Sequence, residues 1–576
     1  MYFLALATDF DGTIAHDGIV GSRTREALEK FKQTGRRLIL VTGRNLPDLK
    51  CVFPDLALFD RVVAENGALL YDPATEVVRC IAAAPSAVFV EKLRERNIQP
   101  LDIGESIVAT WEPNEGAVLE IIRELGLELQ IIFNKGAVMV LPSGMNKAEG
   151  MKAALVELGL SPHNVVGVGD AQNDHAFLEA CGCAAAVANA LPMVKQSADI
   201  LLSADHGEGV IELVDLICQR DGAILPPKRH GLLVGRDEDD GEVYLEPHLG
   251  SVLIAGNSGI GKSTLATALT ERMAEKHFEF CVFDPEGDYT ELEKAVSVGN
   301  AKDAPVADEA LKLLKKIGAN VVVNTQALEV SERPRFFAKL LPQLATLRAQ
   351  TGRPHWLIVD EAHHLLPSER EDVSQVLPDD IPAAIFITVH PDAVSRSALK
   401  TVDTVLALGR SAGETIAAFC KAIGIKPPPR MPQPDKNQIL FWRRSNGKGK
   451  SKGPRLVTVI RPHQSHQRHT RKYAEGELGE DISFYFRGPD QKLNLRAQNL
   501  VLFNQIALGV DESTWEHHLR GGEYSAWFRE VIKDEDLADE AAEVEADPDL
   551  APAESRKRIT EAVSRRYTAP ARGHEA

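Results

Sequence analysis

Twice along this chain of 576 residues an apolar run stops at a motif shaped for phosphate. Near the start, the run from Phe3 ends in Asp9-Phe10-Asp11-Gly12-Thr13. Near the middle, Ser251–Ala255 ends in Gly256-Asn257-Ser258-Gly259-Ile260-Gly261-Lys262-Ser263-Thr264. A buried strand that gives way to polar, turn-forming residues presents them at the carboxyl edge of a sheet, which is where open α/β folds hold their ligands. The expectation is therefore two α/β domains, each with a site at a strand end.

The rest of the chain divides accordingly. Runs at Phe3–Asp9, Arg37–Val41 and Val62–Ala64 alternate with a helical stretch at Thr24–Thr34, the pattern of a parallel α/β sheet. Residues 72–141 interrupt it with strands and helices of their own, including Ala117–Leu125 and Leu129–Phe133, and read as an inserted α+β cap. After Pro226-Pro227 a hairpin is expected at Gly231–Arg236 and Glu242–Leu245. Further strands follow at Phe280–Asp284, Asn320–Asn324, Trp356–Asp360, Ala384–Thr388 and Thr404–Ala407, and a proline cluster at 427–434 marks an end. Amphipathic stretches at Leu493–Leu508 and Trp515–Leu519 predict a small helical module. The expected domains are 1–222 with a cap at 72–141, 228–445, a basic linker at 446–482, a helical module at 483–540 and a disordered tail at 541–576.

Composition narrows the classes. No apolar run reaches the ~18 residues of a membrane-spanning helix. The opening residues lack a basic region before Asp9 and do not read as a secretory signal. Of seven cysteines only Cys181 and Cys183 lie close together, which fits reduced thiols and a cytoplasmic location. A net charge of -18 disfavours indiscriminate binding to nucleic acid. Arg443–Lys472 is basic throughout, but it is interspersed with glycines and histidines rather than stacking aromatics, and reads as a solvated loop before a DNA-binding strip.

Three further segments join Asp9 and Asp11 in order: Val41-Thr42-Gly43-Arg44, Lys147, and Gly169-Asp170-Ala171-Gln172-Asn173-Asp174 after the run Val165–Val168. This set resembles the haloacid dehalogenase superfamily, and the cap's place resembles its Cof-type, class IIB branch. The resemblance implies a phosphatase. Asp9 would be the nucleophile that becomes an aspartyl-phosphate, and Asp11 the acid and base. Thr42 and Lys147 would hold the phosphoryl group. Asp9, Asp11, Asp170, Asn173 and Asp174 would form the Mg2+ site. The chemistry needs such a set, because an anionic nucleophile approaches an anionic phosphate only when a cation and donors neutralise it. The compact cap implies a small phosphorylated metabolite, and Glu65-Asn66-Gly67-Ala68 resembles the branch's loop beneath the cap. His163 and His175 are expected beside the acidic loop, facing solvent.

The second motif has the context a phosphate loop requires, a strand before it and helical periodicity over Leu265–Lys276 after it. Main-chain N–H groups around Gly256, Gly259 and Gly261 would cradle the phosphates of ATP, with Lys262 bridging them, Ser263 on Mg2+ and Thr264 completing the motif. Asp360 and Glu361 end an apolar strand, the first suited to holding magnesium through water and the second to polarising the attacking water. Phe283–Tyr289, Asp360–Pro367 and Ala384–Pro391 resemble the HerA–FtsK class of ATPases, with Thr388 as the polar sensor. Members of that class generally work as hexameric rings that pump DNA or protein, which leaves a homo-oligomer open. Here Thr388-Val389-His390-Pro391 lacks a glutamine and an arginine usual in the class, which counts against ring assembly and DNA translocation but not against ATP binding, and Arg396 and Arg410 are the candidate arginine fingers.

The leading reading is a Mg2+-dependent phosphomonoesterase joined to an ATP-hydrolysing domain that regulates it. One alternative is a nucleic-acid translocase with an accessory phosphatase. Another is an ATP-sensing switch with little turnover.

Overall fold

The structure, a computed structural model, describes residues 1–134, 136–258, 260–289, 292, 294–369, 383–435, 437–444, 453–462, 478–479, 483–489, 491–532 and 534–567. Its first sheet runs Ile200–Leu201, Cys183–Ala186, Val165–Gly169, Ala5–Thr8, Arg37–Val41, Arg61–Ala64, Leu69–Asp72, Val77–Cys80. Ala5–Thr8 lies at the centre, fully buried, between two parallel neighbours. Thr8 pairs with Leu40 on one side and Val168 on the other, so the three chains leave the sheet together at Asp9, Thr42 and Asp170.

The inserted cap is a four-stranded antiparallel sheet, in the order Leu129–Asn134, Ala137–Pro142, Val108–Trp111, Asp102–Ile103. Helices Ala87–Glu95 and Glu115–Leu125 bury Phe89, Leu93, Val118 and Ile121 against Val108 and Val140. The expected cap start at 72 is too early, because Val77–Cys80 pairs with Leu69–Asp72 as the edge strand of the core sheet. That strand is exposed along its whole length, and its side chains give no sign of a core position.

The second sheet has eleven strands, in the order Glu242–Leu245, Leu232–Asp237, Arg455–Val459, Gln438–Arg443, Val402–Leu408, Ser251–Ala255, Ala384–Thr388, Trp356–Val359, Phe280–Asp284, Asn320–Asn324, Ala295–Val298. The seven from Val402–Leu408 onward are parallel, and the other four extend the sheet antiparallel. The boundary expected at 445 is wrong: Arg455–Val459, assigned to a linker, lies between Leu232–Asp237 and Gln438–Arg443 with Val457 buried.

A hairpin, Phe484–Phe486 with Leu495–Ala497, opens the last module, and helices follow at Leu500–Gly509, Glu512–Arg520, Glu523–Trp527, Glu535–Ala546 and Pro552–Tyr567. The tail expected to be disordered from 541 instead folds over 541–567. The helix Pro552–Tyr567 places Ile559, Ala562, Val563 and Tyr567 in one core with Phe484, Phe503, Trp515, Tyr524 and Phe528. Many charged residues on its outer face hid this apolar stripe. Among the described residues no helix is long and apolar enough to cross a membrane.

Candidate active sites

The first site is built around a buried lysine. Lys147 opens the helix Lys147–Leu158, whose start is capped by Asn146 accepting from the N–H groups of Ala148 and Glu149. A Cβ on Gly67 would sit 1.9 Å from the Asn146 carbonyl oxygen, and its φ of +106° also favours glycine. That close approach seats the lysine under the sheet edge. Lys147 is 1% exposed, and its Nζ donates to Asp9 Oδ1 and Asp174 Oδ1, both at 2.6 Å.

Thr13 Oγ1 lies 3.3 Å from both Asp9 Oδ2 and Asp170 Oδ1. Asp174 folds back so that its Oδ2 accepts from the N–H groups of Asp170 and Ala171, a position that needs Gly169, where a Cβ would meet it at 2.7 Å. Thr42 sits at the adjacent strand end, buried. Asn173 turns its amide to Asn66 Oδ1 at 3.0 Å.

Three carboxylates, Asp9, Asp170 and Asp174, converge here with ligand atoms within 4.8 Å of one another. Burial first, then Asp174 and Asp170, push the Asp9 carboxyl up, while Lys147 opposes them. For Lys147 burial works against the charge, but Asp174 and Asp9 outweigh it and hold the ammonium above its usual range. One buried cation therefore faces three acids. An all-oxygen donor set with this excess of negative charge fits a hard divalent cation such as Mg2+.

Two residues that the sequence placed only within longer motifs, Arg44 and Glu65, organise this site. Arg44 grips both oxygens of Asp11, Nε to Oδ2 at 2.6 Å and Nη2 to Oδ1 at 2.7 Å, and reaches Asp48 as well. Glu65, with no exposure and a left-handed φ of 51°, accepts main-chain N–H bonds from Glu105, Ser106 and Ile107 of the cap. A buried carboxylate thereby ties the cap to the core. The pairs Arg44–Asp11 and Glu65–Ser106 join segments 33 and 41 residues apart, so no local pattern announces them. Of the histidines expected near the acidic loop, His175 pairs with Glu179, and His163 lies at the opposite end of Val165–Gly169, stacked on Phe278 of the second domain.

The second site follows from strand order. Ser251–Ala255, Ala384–Thr388, Trp356–Val359 and Phe280–Asp284 are successive neighbours, so the phosphate loop, Thr388, Asp360–Glu361 and Asp284 share one edge. Gly261 has φ +102° before the helix Lys262–Glu275, and Lys262 Nζ donates to the carbonyls of Gly256 and Asn257 at 2.9 and 2.8 Å. Ser263 is half-buried at the helix start and Thr264 exposed; Gly259 lies outside the described residues.

Asp284, fully buried, accepts from the N–H groups of Glu286, Gly287, Asp288 and Tyr289, which shapes the loop below the site. Burial still pushes it up to about 6. Burial, then Glu361, Asp288 and Asp284, push Asp360 up as well. Burial and mutual repulsion thus act on both acids at this edge. Glu361 stands in a left-handed conformation, φ 41°, which costs a non-glycine residue energy. His363 Nδ1 lies 3.1 Å from Thr388 Oγ1 and 3.3 Å from Glu361 Oε2. Burial, then His364 and His390, pull His363 down to about 4.

Of the finger candidates, Arg396 donates to the Ile423 carbonyl and Arg410 is exposed. In the basic strip Arg443 pairs with Glu246 and Arg444 with Asp403, so both brace the sheet; Lys448, Lys450 and Lys452 lie outside the described residues.

Comparison with known proteins agrees with this division. A family model for haloacid dehalogenase-like hydrolases matches residues 6–113 and 120–214, and one for the central domain of helicase HerA matches residues 232–375. A phosphoglycolate phosphatase of Methanothermobacter thermautotrophicus is 31% identical over 217 residues, 36% of this chain and 96% of its own. Phosphoglycolate phosphatase 2 of Saccharolobus solfataricus is 29% identical, across 37% of this chain and 92% of its own. A solved haloacid dehalogenase-like hydrolase from Bacteroides thetaiotaomicron is 19% identical, with a TM-score of 0.33, over 37% of this chain and 99% of its own. With the lysine-bridged aspartates at the edge of a parallel sheet beneath an inserted cap, the chain belongs to the haloacid dehalogenase-like hydrolases, and it carries a HerA central domain on the same polypeptide.

Proposed function

We propose that the N-terminal domain hydrolyses a small phosphate monoester through an aspartyl-phosphate, and that the second domain binds and hydrolyses ATP and regulates it. The observation that carries the first part is the ammonium of Lys147 held 2.6 Å from an oxygen of buried Asp9. That contact keeps Asp9 aligned and lowers the repulsion it would exert on an incoming phosphate. Asp9 attacks phosphorus and the bond to the ester oxygen breaks, with Asp11 supplying the proton that the leaving alkoxide takes. Asp11 then removes a proton from water as that water attacks phosphorus, which releases inorganic phosphate and restores the Asp9 carboxylate. Arg44, which grips both Asp11 oxygens, has to loosen for Asp11 to turn to the leaving group. Thr42 and Lys147 hold the phosphoryl oxygens.

Asp9, Asp170 and the Asp11 main-chain carbonyl would hold magnesium, with Asn173 and Asp174 bracing their loop. Bound there, the ion screens the phosphate's charge. Both oxygens of Asp174 already serve Lys147 and the loop, which makes it a positioning residue. The relatives' names make phosphoglycolate the first substrate to test.

In the second domain Lys262 would grip the phosphates, Ser263 and Asp360 would hold the nucleotide's magnesium, and Glu361 would polarise water. The HerA match also favours a motor reading. Stimulation of ATP hydrolysis by DNA would support the motor, and its absence would support regulation.

The deciding experiment is Asp9→Asn in the full chain. Hydrolysis of phosphoglycolate or of a generic phosphate ester should vanish while ATP binding stays intact. Undiminished hydrolysis would refute the assignment.

A further inference from the structure

The amino ends of three strands meet where the hydrolase and ATPase domains touch. Val165–Gly169, which leads to Asp170, begins just after His163; Phe280–Asp284 begins after Phe278; Trp356–Val359, which leads to Asp360, begins after His355. The His163 ring stacks on Phe278, with centroids 4.1 Å apart and planes 22° apart, and meets the His355 ring edge-on at 5.1 Å and that of His230 at 6.0 Å. Arg353, 1% exposed, donates to Glu279 Oε2 at 3.2 Å and across the contact to the Gly159 carbonyl at 3.0 Å. Gly352 fits because it has no side chain: a Cβ would sit 2.0 Å from Asn164 Oδ1. His230 and His355 are 2% and 4% exposed.

The side-chain charges nearest the three rings are mostly positive. The titratable and charged groups facing the rings are Lys276 and His277 on His163, Arg229 and Lys276 on His230, and Arg353 and Arg348 on His355, while main-chain hydrogen bonds at Lys276, His277, Gly182 and Glu279 act in the opposite sense and are outweighed by burial. The nearby carboxylate, Glu279, is taken by Arg353 and the Gly318 N–H, and Asp199 is taken by Arg229. A proton on any of the three rings would be a buried charge among cations.

We propose that this contact is an acid-released clamp: it fastens the hydrolase and ATPase domains into one cooperative unit while His163, His230 and His355 are neutral, and lets go when they are protonated. The clamp is independent of what either domain hydrolyses. Because strands feeding both acidic sites start at it, release loosens both sites together.

The direction follows from linkage. Burial is the main cause pulling His163 down to about 4 and His230 down to about 3, and it pulls His355 well below its ordinary range. A released imidazole titrates near ~6.5. Between those values the released state binds more protons, so docking is complete above about pH 6.5 and weakens as pH falls toward 4. Each ring contributes up to about tenfold per pH unit to the docking equilibrium, and the three together up to about a thousandfold.

Small-angle X-ray scattering on the dilute full chain, with far-UV circular dichroism to confirm retained secondary structure, tests this. The radius of gyration should rise between pH 6.5 and 4.5, and should stay flat when His163→Phe, His230→Phe and His355→Asn are combined. Arg353→Ala, which leaves the histidines in place, should enlarge the molecule already at neutral pH. A wild-type radius constant to pH 4.5, the same acid rise in the variant lacking these three histidines, or an unchanged Arg353→Ala protein would each overturn the clamp.

Discussion

The two sites place one lysine near a set of acids at a sheet edge, and they assemble it in opposite ways. In the hydrolase domain Lys147 bridges Asp9, 138 residues away, and Asp174, and all three side chains are buried. In the ATPase domain the bonds described for Lys262 run to carbonyls of its own loop, five and six residues back. The first site is thus a product of tertiary folding, and its lysine is part of what holds the domain together. The second is a local device mounted on a sheet edge, and the bonds described for its lysine stay within its own loop.

Removing each lysine should expose that contrast most strongly. Lys147→Ala leaves two buried carboxylates without their cation, and should cost about 3–5 kcal/mol of stability along with phosphatase activity. Lys262→Ala should abolish ATP binding with a clearly smaller stability loss. Urea unfolding of both variants measures this, and equal destabilisation would erase the distinction. Next in size, Glu361→Gln should retain ATP binding but hydrolyse it on the order of a hundredfold more slowly. Loss of nucleotide affinity in that variant would show that the acid acts in binding as well.

The cap provides a finer test. Glu65→Gln weakens the carboxylate that accepts three cap N–H bonds, and should cost about 1–3 kcal/mol locally. Hydrogen exchange at Glu105–Ile107 should accelerate, and protection equal to wild type would mean that the apolar contacts alone hold the cap. The smallest effect concerns the last module. Trp515→Phe removes the indole N–H that donates to Ser555 Oγ at 3.0 Å, and should lower that module's stability by about 1 kcal/mol. No change would argue that the helix Pro552–Tyr567 is not docked in solution.

What the sequence disclosed follows the same divide between local and distant. Strands such as Ser251–Ala255 and Phe280–Asp284 were legible because an apolar run ends at its own motif. Gln438–Arg443 and Arg455–Val459 were not, because prolines precede the first and a basic, glycine-rich stretch separates them, and composition spoke louder than alternation. The acids and lysines of both sites were visible as motifs. Arg44's hold on Asp11, Glu65's hold on the cap and His163's turn toward Phe278 depend on chain segments brought together only by the fold.

The pairing of Gly235 with Val459 closes the ATPase sheet with its first and last segments. During synthesis this imposes an order. The hydrolase domain is complete once residues near 220 leave the ribosome, whereas the ATPase sheet lacks Arg455–Val459 until about 240 more residues are made, roughly 12–50 s at ordinary elongation rates. Through that interval Gly159–Asn164 waits uncovered on a finished domain, a ready template on which the later domain can come to rest.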